Sequence, residues 1–115
     1  CTDGSKGSTD RNMTQQDLSG IRRREQINAG KVLGLKETVF LDYEDSMLQP
    51  TLELRRDIAR EIRRYKPDIL ICQSPMRNLM GSGYLGHPDH IAAGEAALAG
   101  ATMAYELLCL LSEQS

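Results

Sequence analysis

The sequence has no excess of either charge: 14 Lys+Arg stand against 16 Asp+Glu, a formal net charge of -2. With the two signs interleaved along the chain, a surface built for a polyanion is excluded and nucleic acid falls away as a partner. No apolar run approaches the ~18 residues of a membrane span, and the opening segment, Cys1 to Ser8, lacks the charged-then-apolar profile of a signal peptide. The three cysteines, Cys1, Cys72 and Cys109, are odd in number and far apart. That spacing argues against a disulfide framework or a zinc knuckle and for reduced thiols in the cytoplasm. Histidine is scarcer still: the only two fall within His87-Pro88-Asp89-His90. What is present, 115 residues of which 40% are hydrophobic and 26% charged, amounts to one ordinary globular domain at most. A start on Cys inside a Gly/Ser/Asp loop reads as a piece of a longer sequence.

Residues 1–14 are almost free of apolar side chains, with turn chemistry at Asp3-Gly4 and Lys6-Gly7. Leu18, Ile21, Ala29, Val32 and Leu33 recur at helical spacing and predict a helix over Gln15–Leu33, stopped by Gly34. The β-branched and aromatic run Glu37-Thr38-Val39-Phe40-Leu41 predicts a buried strand. Thr51 opens a second helix with the stripe Leu54, Ile58, Ile62 and Tyr65, while its Arg, Glu and Asp residues are expected to face water. Pro67 ends it. Asp68 to Gln73, apolar throughout its middle, predicts a second strand, in the manner of a parallel strand covered on both faces. A long loop over 74–86 precedes an Ala-rich helix from Pro88 to about Leu111. Gly94 and Gly100 each cost that helix about 1 kcal/mol relative to Ala, so they mark close packing against a neighbour.

Residues 37–73 therefore read as one βαβ unit with a right-handed crossover. The expected class is α/β, a partial Rossmann-like parallel sheet with helices on both faces, and a further strand is expected to run into Cys1-Thr2-Asp3. The loops 1–14, 42–50 and 74–87 would then converge on the carboxyl edge of the sheet, where such folds bind ligands.

The histidine cluster carries the most chemistry. The residue before a proline is pushed out of the helical region and proline is favoured at the first helical position, so His87 caps the helix, with His90 in its first turn. Asp89 complements the helix dipole there and can fix an imidazole tautomer. A metal or acid–base site is favoured over an ordinary helix start with two incidental histidines. On the first helix, steps of 100° place Arg22, Glu25, Ala29 and Val32 within about 40° of Leu18, so a charged pair sits in the apolar stripe. Two explanations stand: a partly buried ion pair that fixes the helix, or a pair that reaches the loop edge to hold a polar ligand. Arg23 and Arg24, on other faces, read as solvated. Asp42, Glu44 and Asp45 follow the first predicted strand, where one acid is well placed to accept hydrogen bonds from substrate hydroxyls; the same holds for Asp3 and Gln73-Ser74. The arginines of the second helix, interspersed with acids, read as a solvated face rather than a phosphate site. Gly4-Ser5-Lys6-Gly7-Ser8 lacks P-loop spacing, and neither Cys72 nor Cys109 has a neighbouring His that would make it a nucleophile.

Thr2-Asp3-Gly4, Lys6-Gly7-Ser8, Arg22, Glu25, Ala29, Leu33-Gly34, Phe40-Leu41, Tyr43, Asp45, Pro67 to Ile71, Gly86 to His90 and Ala93-Gly94-Glu95 together resemble, in order, the LmbE-like (PIG-L) metal-dependent N-deacetylases. The resemblance implies a Rossmann-like sheet, a zinc or other divalent metal, and N-acetylglucosamine conjugates as small-molecule substrates. It implies that His90 is a metal ligand, that His87 stabilises the oxyanion or protonates the leaving amine, and that Asp89 orients a histidine. Arg22 and Asp45 would contact the sugar. The family's remaining ligands, a His and an Asp, and its catalytic base belong to a His-Pro-Asp-Asp segment ahead of the Thr-Asp-Gly loop, which this sequence does not contain. From Gly100 onward the family pattern is lost. The expectation is thus a central fragment, 1–115, of one deacetylase domain, inactive alone, whose exposed Leu107, Leu108, Leu110 and Leu111 favour self-association into a homo-oligomer. The alternatives are a non-catalytic sugar- or nucleotide-binding module and, more remotely, a metallohydrolase of phosphoesters.

Overall fold

The computed structural model describes residues 1–77 and 86–113, with side chains up to Tyr105. Among the described residues there are three helices: α1 over Gln15–Leu33, α2 over Leu52–Tyr65 and α3 over Pro88–Glu113. Each begins where the local chemistry dictates. Thr14 and Asp17 form a reciprocal capping box at the start of α1, the Thr14 hydroxyl accepting from the Asp17 N–H at 3.1 Å. Gly34, at φ 71°, turns into the left-handed region and donates its N–H back to Gly30 and Lys31, which closes α1 as glycine does best. Thr51 caps α2 by accepting from the Leu54 N–H at 3.2 Å, and Lys66 ends it in the left-handed region just before Pro67.

The strands are a different matter. Neither 37–41 nor 68–73 forms a strand, and the described residues contain no sheet. Their one recorded β pairing is an isolated parallel bridge between Thr2 and Tyr43. There the Asp3 N–H donates to the Tyr43 carbonyl at 2.9 Å, and the Tyr43 N–H to the Cys1 carbonyl at 3.1 Å. The expected α/β class, with its partial Rossmann-like parallel sheet, is therefore overturned: these residues are helices joined by irregular segments. A β-branched run expresses a local preference, whereas a strand exists only where a neighbouring backbone accepts and donates its ladder bonds. The second run shows this most clearly, since Ile69 and Ile71 are 78% and 91% exposed instead of buried between helices.

Two compact units divide the chain, Cys1–Leu48 and Gln49–Ser115, and the two predicted strands fall in different units. In the first, Leu18, Gly30 and Leu48 are buried, whereas Val32 and Leu33 at the end of the α1 stripe are exposed. A Cβ on Gly30 would lie 2.9 Å from the Thr38 hydroxyl, so the segment after α1 returns closely over the helix. In the second unit α2 packs along α3. Leu54 is fully buried, together with Ala59 from α2 and Ala92, Ala96, Ala97 and Ala104 from α3. Both glycines of α3 mark close approach, as their helical cost suggests. A Cβ on Gly94 would overlap the Gln73 carbonyl oxygen, and one on Gly100 would lie 2.9 Å from Ile58 Cγ2. Not all the charged residues of α2 face water: Arg55, Asp57, Glu61 and Arg63 are half-buried, and Arg63 Nη2 donates to the Met103 carbonyl at 3.0 Å. The arginine stem has apolar length to cover and a charged head to satisfy, which the last helix accommodates with a carbonyl. The side chains of Leu107, Leu108, Cys109, Leu110 and Leu111, and loop residues 78–85, lie outside the described residues.

Candidate functional site

In the first unit, candidate residues gather around the turn Thr2–Gly7. Gly4 adopts φ 65°, and its Cα faces the stem of Arg22, whose Cγ would be 3.1 Å from an added Cβ. Only glycine combines that backbone with that proximity. Asp3 organises the turn: its Oδ1 accepts from the Ser5 N–H at 3.1 Å and from the Asp45 N–H at 3.3 Å. Burial pushes the Asp3 carboxyl up, but hydrogen bonds from the Ser5 side chain and main chain and from the Asp45 main chain together outweigh it and hold its pKa below the ordinary value. Asp45 Oδ2 in turn accepts from the Lys6 N–H at 3.0 Å. Lys6 Nζ lies 2.7 Å from Glu44 Oε1, and this hydrogen bond raises the lysine's pKa against a smaller opposing desolvation.

Arg22 and Asp45 thus meet the same turn, Arg22 from α1 at Gly4 and Asp45 from the segment after the parallel bridge at the Lys6 N–H. The Arg22–Glu25 ion pair forms at 3.0 Å as the helical spacing requires, yet its side chains are 49% and 58% exposed. About half of each side chain thus faces water, so the pair is partly covered rather than enclosed in the apolar stripe. Arg22 also borders a cavity of about 560 Å³ lined by Asp3, Arg23, Glu25, Phe40 and Asp42 among others; Asp45 lies outside it.

Sequence reasoning missed Arg23. Rather than being merely solvated, its Nη2 donates to both carboxylate oxygens of Asp42 at 2.7 Å, and its guanidinium carbon stands 4.2 Å from the centre of the Phe40 ring. Arg23 and Asp42 are far apart in sequence, so no helical spacing announces the pair.

In the second unit the histidine cluster sits at the start of α3. The His87 carbonyl accepts from the N–H groups of His90 and Ile91, at 3.0 and 3.2 Å, and its Nδ1 accepts from the Asp89 N–H at 3.1 Å. His87 is therefore the cap of the helix through both main chain and ring. With Nδ1 occupied as an acceptor, the neutral imidazole carries its hydrogen on Nε2. The His90 ring lies 5.3 Å from it, centre to centre, inclined at 43°. Both histidines are exposed, while Asp89 is buried. Gly86 enters at φ 83° against Ile91 Cδ1, so the approach to the cap also calls for glycine. His87, Asp89 and His90 share the cap and first turn of α3; in the other unit Arg22 and Asp45 touch the same turn at different residues, Arg22 at Gly4 and Asp45 at the Lys6 N–H.

A catalytic zinc takes about three protein ligands. Among the described residues no three His, Cys, Asp or Glu side chains assemble in a way that could hold a metal ion. His87 and His90 do not fit a complete metal centre by themselves.

The chain belongs to a family of deacetylases: residues 1–101 match the PIG-L family, GlcNAc-PI de-N-acetylase. The histidine cluster, the Thr-Asp-Gly turn and α1 all lie within the match. Among individual proteins, the chain is 37% identical over 93 residues to the diacetylchitobiose deacetylase of Thermococcus kodakarensis, covering 81% of this chain and 33% of that protein. It is 35% identical over 85 residues to a probable N-acetyl-alpha-D-glucosaminyl L-malate deacetylase 2 of Bacillus anthracis, covering 72% of this chain and 34% of that one. Its structure superimposes on the N,N'-diacetylchitobiose deacetylase of Pyrococcus horikoshii, solved with its inhibitor MPG, with a TM-score of 0.80 and 29% identity, covering 95% of this chain and 41% of the other. The chain thus spans about a third of the length of the curated relatives it matches. No helix among the described residues is long and apolar enough to cross a membrane.

Proposed function

We propose that this chain is part of an N-deacetylase that hydrolyses the acetamide of an N-acetylglucosamine-type conjugate in the cytoplasm, in a metal-dependent reaction. The observation that carries the reading is the capped histidine pair at the head of α3, within the family match. Hydrolysis adds the oxygen of water to the acetamide carbon, breaks the C–N bond, releases acetate and leaves an amine that must gain a proton. An imidazole fixed with its hydrogen on Nε2 is the right group to donate a hydrogen bond to the developing oxyanion, and the Asp89 N–H on His87 Nδ1 at 3.1 Å supplies the fixing. His87 takes that role. Asp89, buried beneath it, anchors the turn. His90 is the residue of this chain that would ligate a zinc or other divalent ion. Arg22, beside the cavity, and Asp45, on the Lys6 turn, contact the sugar through charge-assisted hydrogen bonds.

The test is acetate release from N,N'-diacetylchitobiose and from N-acetylglucosaminyl malate by the protein that carries this chain, with His87→Ala and His90→Ala alongside. Each substitution should lower kcat/KM by at least about 100-fold, the lower range of what a positioned acid–base group contributes. His90→Ala should also lower the bound metal measured by elemental analysis. Turnover at the unsubstituted level in both variants refutes the assignment.

A further inference from the structure

We infer that Arg23 is a positioning residue for sugar binding, clamping Asp42 so that the following turn presents Asp45 correctly; its substrate half rests on the function proposed above. Asp42 is one of three non-glycine residues at positive φ among the described residues, at 55°. That region costs an L residue free energy, less for aspartate than for most, and surroundings that grip the side chain offset it. Arg23 supplies those surroundings twice over. Its Nη2 reaches both Asp42 oxygens at 2.7 Å, and its guanidinium lies on the Phe40 ring at 4.2 Å, so the residues on either side of Leu41 are tied to the same side chain on α1.

The consequence falls on the next residues of the chain. Tyr43 makes the parallel bridge to Thr2 through two main-chain hydrogen bonds, and Asp45 then joins Asp3 and the Lys6 N–H. The direction in which residues 43–45 leave is set by the backbone of Asp42. Arg22, the preceding residue of α1, packs against Gly4 on the other strand of that bridge. Adjacent arginines of one helix therefore hold the two halves of the turn: Arg22 the residues before Lys6, Arg23 the residues before Asp45. An ordinary half-exposed ion pair contributes little to stability. This one acts through the conformation it imposes.

Amide hydrogen exchange at Asp3, Lys6 and Tyr43, together with the affinity for N,N'-diacetylchitobiose, tests the inference in the full chain and in Arg23→Ala, Arg23→Lys and Asp42→Gly. Arg23→Ala should speed exchange at these three amides by about fivefold or more, the scale of one lost charge-assisted hydrogen bond. It should weaken sugar binding by a similar factor and leave exchange at His90 and Ile91 unchanged. Arg23→Lys, which keeps a donor, should restore part of both. Asp42→Gly relaxes the backbone strain but removes the carboxylate, and it should behave like Arg23→Ala. Unchanged exchange in Arg23→Ala overturns the clamp, as does full protection in Asp42→Gly, which would show that the left-handed backbone alone sets the turn. Faster exchange in Arg23→Ala with no sugar binding by the unsubstituted protein overturns the substrate half and the sugar reading behind it, while the clamp stands.

Discussion

Replacing glycine by alanine should have opposite signs at two helical positions of this chain. In α1, a Cβ on Gly20 meets nothing within 4 Å. Alanine there gains helix propensity and reduces the freedom of the unfolded chain, a stabilisation of about 0.5–1 kcal/mol. Gly94 in α3 has the same gain on offer, but its Cβ would overlap the Gln73 carbonyl oxygen and lie 2.9 Å from that carbonyl carbon and 3.2 Å from Pro75 N. All three are main-chain atoms, so no rotamer change relieves them, and either residues 73–75 or the helix must move. Overpacking of that kind costs about 1–3 kcal/mol, leaving Gly94→Ala destabilised by roughly 1–2 kcal/mol after the propensity gain. Gly100→Ala falls between: its nearest neighbour is the methyl of Ile58 at 2.9 Å, which can rotate, with the Arg55 carbonyl oxygen at 3.2 Å. Urea unfolding followed by far-UV circular dichroism should rank the midpoints Gly20→Ala above the unsubstituted protein, then Gly100→Ala, then Gly94→Ala. The extremes should be separated by on the order of 1–2 M at an ordinary m-value. A Gly94→Ala midpoint at or above that of the unsubstituted protein refutes the packing argument.

Two further outcomes follow from the caps and the turn. Thr51→Ala removes the acceptor that satisfies the Leu54 N–H at the start of α2 and should cost about 1 kcal/mol in the same unfolding assay; Thr51→Ser should recover most of it, and equal losses from both would refute the cap. Asp3 has a lowered pKa, so its charged form contributes stability that is present above about pH 4 and lost as pH falls through the lower folded value. The stability difference between the unsubstituted protein and Asp3→Asn should therefore shrink below about pH 4, and a difference constant from neutral pH to pH 2 would refute the proposed hydrogen bonding.

How much of the molecule was legible in advance depends on how far away its determinants lie. The end of α1 follows from Gly34 and the start of α2 from Thr51, because each cap is a contact between residues within four positions of one another; the Thr14–Asp17 box at the start of α1 is just as local, and the apolar periodicity passed over it. The start of α3 follows from Pro88, and the histidine cap from the conformation that proline forces on the residue before it. The glycines of α3 betrayed a close neighbour by their cost to the helix, although not that the neighbour of Gly94 is the main chain at Gln73.

The readings that failed depended on partners the local pattern does not name. Val39, Phe40, Ile69 and Ile71 prefer extended backbone, but the described residues give them no ladder to join. The 3.0 Å separation of Arg22 and Glu25 was fixed by helical spacing, whereas their exposure was decided by what packs over α1. Arg23 finds Asp42, and Asp3 finds the Asp45 N–H, only once the chain has folded back on itself. The sequence by itself determined the three helices, their caps, the adjacency of His87, Asp89 and His90, and the motifs by which the deacetylase family is recognised. Only the tertiary structure decided which extended segments remain unpaired, which charges are exposed, and which arginine grips the turn. The helical features are set by hydrogen bonds spanning a few residues, and these others by contacts that exist only after distant segments meet.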